Sequence, residues 1–474
     1  MAVDDLHEDY EANVGRWLLV DKVCEERDLP ELIHDLDVFD ATKNRKFKTR
    51  ASFFGATGFT ESGLIGIAYR DEPDIDLPAP LEYLLDNADG TGINFANHLL
   101  ASTSQVLRKG RLGLFVTYPE RPQGTSLADR EAGEALATIH AINAERIINW
   151  WYIKRGANSI LGGVVFKDRM TTREGFDAET EDILRSLTLE EGFMVDRKWR
   201  KPEGKAEWEV IPGTEFQPTN GRGQRWPELP FIFCGSMSNT WHVDPAPLYS
   251  LAKKNADHLN NSAINEEGIW FSGHIQPVAD EMDAEVFDTL VQVQQSKGFN
   301  TGDGGGGFKI GAGQLIIAKG FRFEVAEPNS AARQGMLDKI DDMKAIGARI
   351  LQPGGVAKTA QQDLGEQRVQ HSVLSLAIVN IEDAYNTALR FVSEYMNTPE
   401  PSLSLSRSFM LPEVNPEMID RLMSLFDRGL VGETEAFSVL SRAHILDDEK
   451  TVEEYSEEVR VRGVDDGATL DGDA

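Results

Sequence analysis

The sequence has little cysteine, little positive charge and no long hydrophobic run. Its 474 residues include only two cysteines, Cys24 and Cys234, which excludes a disulfide framework and predicts free thiols in a reducing compartment. No run of about 18 apolar residues is present, so no segment is predicted to span a membrane. The first residues, MAVDDLHEDY, lack the basic and apolar regions of a signal peptide. We therefore expect synthesis in the cytosol.

The sequence also lacks the short motifs of common enzyme classes. Its Gly-rich run GDGGGG is followed by Phe308, Lys309 and Ile310, not by the GK-Ser/Thr that a phosphate-binding loop requires. No two of the nine histidines have the spacing of a helical metal pair, and no Gly-x-Ser-x-Gly elbow occurs. We therefore expect no catalytic residue, no metal and no cofactor. The run is instead predicted to be a flexible segment, comprising Gly302, Asp303, Gly304, Gly305, Gly306 and Gly307.

Negative charge is abundant. The chain has 78 Asp and Glu against 48 Lys and Arg, a net charge of −30. Such a surface repels phosphate, which disfavours tight nucleic-acid binding but suits a protein past which nucleic acid slides. One basic run stands out, and it is predicted to be a solvated or internally neutralised face, with contact to DNA or to an acidic neighbouring subunit as the alternative. It consists of Lys43, Arg45, Lys46, Lys48 and Arg50.

Hydrophobic periodicity predicts an α+β fold with an antiparallel component and without βαβ alternation. Residues 145–168 read as a β-hairpin with its turn at 155–158. Further strands are predicted at 111–119, 193–199, 208–211 and 231–233, and helices at 81–109 (with a turn at 89–90) and 127–142. Glycines are expected to break residues 51–80 into turns, with LIGIAYR as a strand or buried segment.

One stretch organises the rest of the chain. A helix is predicted over 245–271, then a compact Gly-rich insertion over 272–328, and a second helix from about Asn329. A polar loop follows at 352–365, and a helix of about 30 residues follows that at 366–396. Connections between helices usually have roughly two to eight residues, so this longer polar loop is predicted to be functional. Its candidate functional residues are Gln352, Gly354, Gly355, Lys358, Thr359, Gln361 and Gln362.

The C-terminal region is concentrated in acidic residues. From residue 412 to the end there are 17 Asp and Glu against 6 Lys and Arg. Three short helices are predicted there, followed by about a dozen disordered residues.

In its order of segments the chain resembles the portal proteins of tailed bacteriophages, in a subfamily described as a domain of unknown function. The segments that carry the resemblance are RASFFGATGFTESGLIGIAYRDEPDIDLP, RLGLFVTYP, AERIINWWYI, PLYSLAKKNADHLNNSAINEEGIWFSGHIQP, LDKIDDMKAIGARIL and GLVGETEAFSVLSRAHIL. The resemblance implies a portal fold and a homo-oligomeric ring, usually of twelve subunits, at one capsid vertex. Double-stranded DNA passes through the central channel of such a ring during packaging and ejection.

The resemblance also implies a domain plan. Residues 1–245 and part of 366–412 would form the wing, 246–270 and 329–351 the stem, and 271–328 the clip. Residues 352–365 would form the tunnel loop, and 413–474 the crown with an acidic tail.

The partners that the resemblance implies are the terminase large subunit, head-completion or adaptor proteins, and the major capsid and scaffolding proteins, with no membrane. The protein would reside in the virion, and in the host cytoplasm during assembly. The family has no catalytic residues to transfer. Long helices would pack a second face on adjacent subunits. Two alternatives remain: a Mg²⁺-dependent nucleic-acid-processing enzyme, and a minor capsid or adaptor protein without a channel.

Overall fold

The computed structural model describes residues 2–37, 40–117, 135–273, 276–280, 320–324, 330–351 and 372–406, with a few isolated positions in 285–292 and at 424. The chain divides into two units, Met1–Leu405 and Ser406–Ala474. The second unit, which includes the predicted crown, lies almost entirely outside the described residues. Within those ranges the first unit contains both helices and antiparallel sheets, which confirms the α+β prediction.

Eight α-helices occur in the described part of the first unit. They are α1 Glu8–Cys24, α2 Ala41–Arg50, α3 Ala56–Ala68, α4 Tyr83–Asp86, α5 Phe95–Lys109, α6 Tyr249–Ser272, α7 Ser330–Leu351 and α8 Val373–Met396. Local signals set their ends: the Asp40 and Asn94 side chains accept backbone hydrogen bonds at the starts of α2 and α5. Gly110 ends α5 in the left-handed conformation. Among the described residues, none of the helices is long and apolar enough to cross a membrane.

Within the described ranges, the strands form four antiparallel sheets. They are β1 Asp74–Asp76, β2 Arg111–Thr117, β3 Thr138–Asn143, β4 Ile147–Arg155, β5 Asn158–Glu174, β6 Asp177–Glu190, β7 Phe193–Arg200, β8 Glu209–Val210, β9 Phe231–Gly235, β10 Gln276–Asp280, β11 Gly320–Glu324 and β12 Ser402–Ser404. The largest sheet is the meander β4-β5-β6-β7-β8, and β2 is the centre of a sheet of order β3-β2-β9. Two-stranded pairs join β1 to β12 and β10 to β11.

The core lies where these two larger sheets meet. Phe115 of β2 contacts Phe166 of β5 with ring centroids 5.8 Å apart, and Phe231 of β9 contacts the same ring at 6.0 Å. Helices α5 and α8 also contact β2. Six consecutive residues of β2 are therefore buried, not the alternate ones that a half-exposed strand would bury.

Several predicted elements are confirmed. The hairpin forms as β4 and β5 with Arg155 paired to Asn158, and the sheet continues through β6. The strands at 111–119, 193–199, 208–211 and 231–233 correspond to β2, β7, β8 and β9. Helices α4 and α5 flank the predicted turn, where Gly90 has φ +86°. Helices α6 and α7 correspond to the two helices predicted around the insertion.

Three predictions are wrong. The segment predicted as turns and a strand forms helix α3, because Gly58 lets this helix approach α1: a Cβ there would lie 2.8 Å from the Cys24 carbonyl oxygen. Residues 138–142, predicted as helix, belong to β3, where pairing with β2 decides the conformation. The helix predicted over 366–396 is not helical at residue 372: α8 begins at Val373 with the Ser372 side chain as its cap, and residues 366–371 lie outside the described ranges.

Candidate functional site

The candidate residues of the predicted tunnel loop and those of the predicted flexible segment all lie outside the described residues. This applies to every candidate of the polar loop and of the Gly-rich run: Gln352, Gly354, Gly355, Lys358, Thr359, Gln361, Gln362, Gly302, Asp303, Gly304, Gly305, Gly306 and Gly307. The structure describes the helices that flank them in sequence. The candidate site is therefore the surface formed by α6, α7 and the N-terminal helices that hold them.

Helices α6 and α7 pack side by side and antiparallel. The Lys254 ammonium contacts the Asp342 carboxylate at 2.8 Å, and seven residues further along α6 Asn261 lies against Gly335 of α7. From the first contact to the second, the residue number rises from 254 to 261 on α6 and falls from 342 to 335 on α7. The two helices therefore run in opposite directions. A Cβ at Gly335 would lie 2.6 Å from the Asn261 amide nitrogen, so glycine permits close contact of the helices.

Buried polar contacts anchor α6 to the N-terminal helices. The Asn255 amide accepts a hydrogen bond from the Thr57 backbone at 3.1 Å and donates one to the Phe54 carbonyl at 2.7 Å. Near the other end of α6, Arg50 of α2 forms an ion pair with Glu267 and lies over the Trp270 ring, 4.1 Å from its centroid. The orientation of α6 is therefore set at two separated points.

An apolar groove separates α3 from α7. It has a volume of about 730 Å³. Its walls include Phe59 and Ile67 of α3 and Ile340 and Met343 of α7. Phe59 is 83% exposed, which is uncommon for a large aromatic side chain without a partner.

The basic run is partly neutralised within the chain, as its first interpretation predicted. Lys43 pairs with Asp37 at 3.4 Å, and Lys48 pairs with Asp35 at 2.8 Å, while Arg50 pairs with Glu267. Arg45 and Lys46 are exposed and have no carboxylate partner among the described residues. Part of the charge of α2 thus faces solvent.

A buried ion network joins α1, α3 and α5. Arg108 donates to Glu61 at 2.7 Å and to Glu25 at 2.9 Å, and it lies 3.5 Å from Asp21. The next residue, Lys109, is 1% exposed and contacts Asp21 at 2.9 Å and Glu145 at 2.5 Å. Burial opposes the positive charge of Arg108, but its bonds to Glu61 outweigh this and raise the Arg108 pKa. The network is a structural clamp on the helices that support α6.

A second buried polar group holds α8 on α5. The Tyr385 hydroxyl lies 2.7 Å from His98 Nδ1 and 2.7 Å from Ser102 Oγ. Burial raises the pKa of Tyr385. Burial also lowers the pKa of His98 to about 4, against the weaker effect of Asp89. The imidazole is therefore neutral in the folded protein at neutral pH.

We expect this histidine to make stability fall in mild acid. Its pKa is about 6.5 in the unfolded chain and about 4 when folded. Stability is fully present above pH 6.5 and is lost as the pH falls towards 4, because the unfolded chain then binds the proton more tightly. The loss between pH 7 and 5 is about 2 kcal/mol. Urea unfolding at both pH values should give a smaller loss for His98→Asn, and an equal loss would contradict the assignment.

Possible metal ligands and thiol nucleophiles occur among the described residues. No cluster of three or more His, Cys, Asp or Glu side chains suited to a metal ion occurs among these residues. Burial raises the pKa of both cysteine thiols, which lowers their reactivity as nucleophiles at neutral pH. What the surface offers is an anchored helix pair and an open apolar groove.

Comparison with known proteins places one family match on this region. The model of the domain of unknown function DUF4055 matches residues 247–396, which run from the approach to α6 to the end of α8. Among solved structures, a chain in the virion of a native gene transfer agent (GTA) particle is 14% identical, with a TM-score of 0.37 over 81% of this chain and 89% of that one. A chain in the neck of a native GTA particle computed with C12 symmetry is also 14% identical, with a TM-score of 0.35 over 85% and 94%. No curated protein matches the chain.

Sequence reasoning missed the groove and the ion network. The groove depends on α3, which was predicted as turns because of its glycines, although Ile67 and Ala68 lie three and four residues after Leu64, which is helical spacing. The network joins Arg108 to Glu61, which is 47 residues away in the chain. Local spacing carries no signal for such a pair.

Proposed function

We propose that the protein is a portal subunit that assembles into a ring, most simply of twelve copies, at a unique capsid vertex, where double-stranded DNA enters and leaves. The observation that carries the proposal is the anchored antiparallel pair α6–α7, which brackets the predicted insertion 272–328 in the chain. In this assignment α6 and α7 are the stem, and the insertion is the clip. The polar segment 352–365 that follows α7 in sequence is the tunnel loop.

Exposed apolar side chains on the helix pair support assembly. On α6, Ile264, Ile269 and Phe271 are each 44–47% exposed, and Leu337 on α7 is 49% exposed. Apolar residues of this size on two packed helices favour burial against a neighbour. A ring needs two different faces on each subunit, and the helix pair and the groove beside α3 provide apolar surfaces for such contacts.

The resemblance implied that long helices pack a second face on adjacent subunits, and α8 does not have a free face for such packing. Most of its residues are buried within the subunit, including Ile381, Tyr385, Leu389 and Val392. The long helix that was expected to pack a second face on adjacent subunits is therefore a core helix. The proposed intersubunit surface is restricted to α6, α7 and the N-terminal helices.

The charge of the chain supports a conduit that DNA slides through. A net charge of −30 per subunit opposes strong phosphate binding. Lys358 in the polar segment would supply one cation per subunit for weak, salt-sensitive contacts. Terminase would dock on the clip, and head-completion or adaptor proteins would replace it. Major capsid and scaffolding proteins would surround the ring.

Electron microscopy of the purified protein tests the proposal. We expect annular particles with a central hole, formed without DNA and independently of Mg²⁺. A monomer with Mg²⁺-dependent nuclease activity would refute the portal and support the enzyme alternative. Closed particles without a hole would support the capsid or adaptor alternative. The variant Leu337→Glu tests the proposed stem surface. It adds a charge there and should reduce ring yield without changing the far-UV circular dichroism spectrum.

A further inference from the structure

Strands β5 and β6 extend beyond the sheet as a two-stranded arm. Their pairing continues without a shift from Asp168–Ile183 to Glu174–Asp177. At about 3.3 Å per residue, the six residues from Arg169 to Glu174 extend about 20 Å. The described side chains from 171 to 180 are all exposed, so both faces of the arm lack cover. An isolated two-stranded ribbon has marginal stability in water, which favours a partner for this one.

Charge is unequally divided between the two faces of the arm. Residues directly opposite each other in an antiparallel pair point to the same face. By the observed register, Asp177, Glu179 and Glu181 share one face with Thr172 and Met170, and among the described side chains that face has no cation. The opposite face carries Arg169, Arg173 and Asp182, of which Arg169 and Asp182 pair at 3.2 Å. The first face is therefore a row of unpaired carboxylates.

The tip of the arm carries an exposed aromatic ring. Phe176 follows Gly175, which has φ +62°, and its relative exposure is 107%. A phenylalanine at a hairpin tip contributes nothing to the fold of this subunit. Burying it in a partner would remove its apolar surface from water and so stabilise a complex.

Helix α2 offers a surface of opposite charge beside a cavity. It carries five cations and no carboxylate. A cavity of about 590 Å³ adjoins it, with Pro30, Ala41, Arg45 and Lys48 among its lining residues. The acidic residues on its wall already have partners: Glu31 pairs with Lys22, and Asp35 pairs with Lys48.

The acidic row of the arm and the basic stretch of α2 are similar in length. The carboxylates at 177, 179 and 181 span about 13 Å along a strand. The cations from residue 43 to residue 50 span about 10 Å along a helix. Lys43, Lys48 and Arg50 already pair with carboxylates of their own subunit, so Arg45 and Lys46 are the cations available to the arm. A phenylalanine beside Arg45 could in addition form a cation–π contact.

We infer that the arm of one copy docks on α2 of a second copy, with Phe176 in the α2 cavity and the acidic face along the basic helix. This inference rests on the proposed ring, because the two surfaces differ and their contact is heterologous. A second copy fits best for two reasons. The acidic arm repels nucleic acid, and in a chain of net charge −30 the basic helix is a local complement to it.

Charge exchange gives the sharpest test. The variant E179K/E181K should raise the protein concentration at half-assembly, measured by mass photometry, by about tenfold. Adding R45E/K46E to that variant should restore assembly to within about threefold of the wild type, because the opposite charges then face each other again. R45E/K46E alone should be as defective as the arm variant. Glu179, Arg45 and Lys46 are exposed and Glu181 is half-buried, so thermal unfolding should change little.

A matched control uses the other face of the arm. T171K/T180K adds two lysines there and should leave assembly unchanged. Replacing residues 170–181 by an Asn-Gly turn removes the arm and should impair assembly as strongly as F176S combined with E179K/E181K.

If wild-type rings form and E179K/E181K rings form at the same concentration, the arm inference fails while the portal proposal stands. If assembly is impaired but the exchanged variant is not rescued, the arm binds something other than α2, and the inference also fails. If the wild-type chain forms no multimer, both are wrong.

Discussion

Replacing Arg108 by methionine is expected to destabilise the protein by about 3 kcal/mol, because removing one partner leaves a buried charge uncompensated. The Glu61 side chain is 4% exposed and accepts hydrogen bonds from Arg108 at 2.7 Å and from Ser104 at 2.5 Å. Methionine keeps much of the packing volume but donates no hydrogen bond. Glu61 is then a buried carboxylate that has lost its charged donor. Urea unfolding followed by tryptophan fluorescence measures the loss.

Two controls separate the buried charge from lost packing. The double variant R108M/E61Q removes the uncompensated carboxylate and should recover at least half of the lost stability. Arg169→Ala breaks an exposed ion pair, whose side chains are 77% and 85% exposed, and should change stability by less than about 1 kcal/mol. If R108M and R169A have equal effects, the network does not clamp these helices.

Replacing Gly110 by alanine is expected to cost about 3 kcal/mol, the sum of backbone strain and a clash. Gly110 has φ +67°, and a Cβ there would lie 2.5 Å from the Asp244 carbonyl oxygen and 2.6 Å from that of Pro245. These are backbone atoms that cannot turn away as a flexible side chain can. The displaced segment leads into α6, where the Leu248 amide donates to the Leu107 carbonyl at 3.1 Å. We therefore expect reduced ring assembly as well as a lower melting temperature.

Gly175→Ala is the matched control for this variant. Gly175 has φ +62°, but no atom lies within 4 Å of the position of an added Cβ. It should therefore show only the backbone strain, about 1 kcal/mol. Similar losses for the two variants would mean that the contact between α5 and the approach to α6 is not tight.

Local patterns were sufficient for many elements and for the general class of fold. The turn between Arg155 and Asn158 and the flanking aromatic and β-branched residues predicted the hairpin, and three- and four-residue spacings predicted α6, α7 and most of α8. Such patterns succeed because they record the backbone conformation of neighbouring residues. The predicted tunnel-loop and Gly-rich residues lie outside the described residues and stay predictions.

Local patterns failed where a distant contact set the conformation. The glycines of α3 predicted turns, but Gly58 serves close packing against α1. Residues 138–142 predicted a helix, but pairing with β2 makes them a strand. The strand register decides which charges of the β5–β6 arm share one face. The arm extends beyond the sheet because no core residues pack against it.

The sequence by itself determined the acidic character, the α+β class, the helix pair around an insertion, and the resemblance on which the portal proposal partly depends. The first three follow from composition or from spacing within one segment, whereas the resemblance depends on the order of several segments along the chain. Only the tertiary structure decided that Arg108 meets Glu61, that Gly110 supports the approach to α6, and that α8 is buried within the subunit. Those contacts join segments far apart in the chain, and their energies depend on which groups are removed from water together.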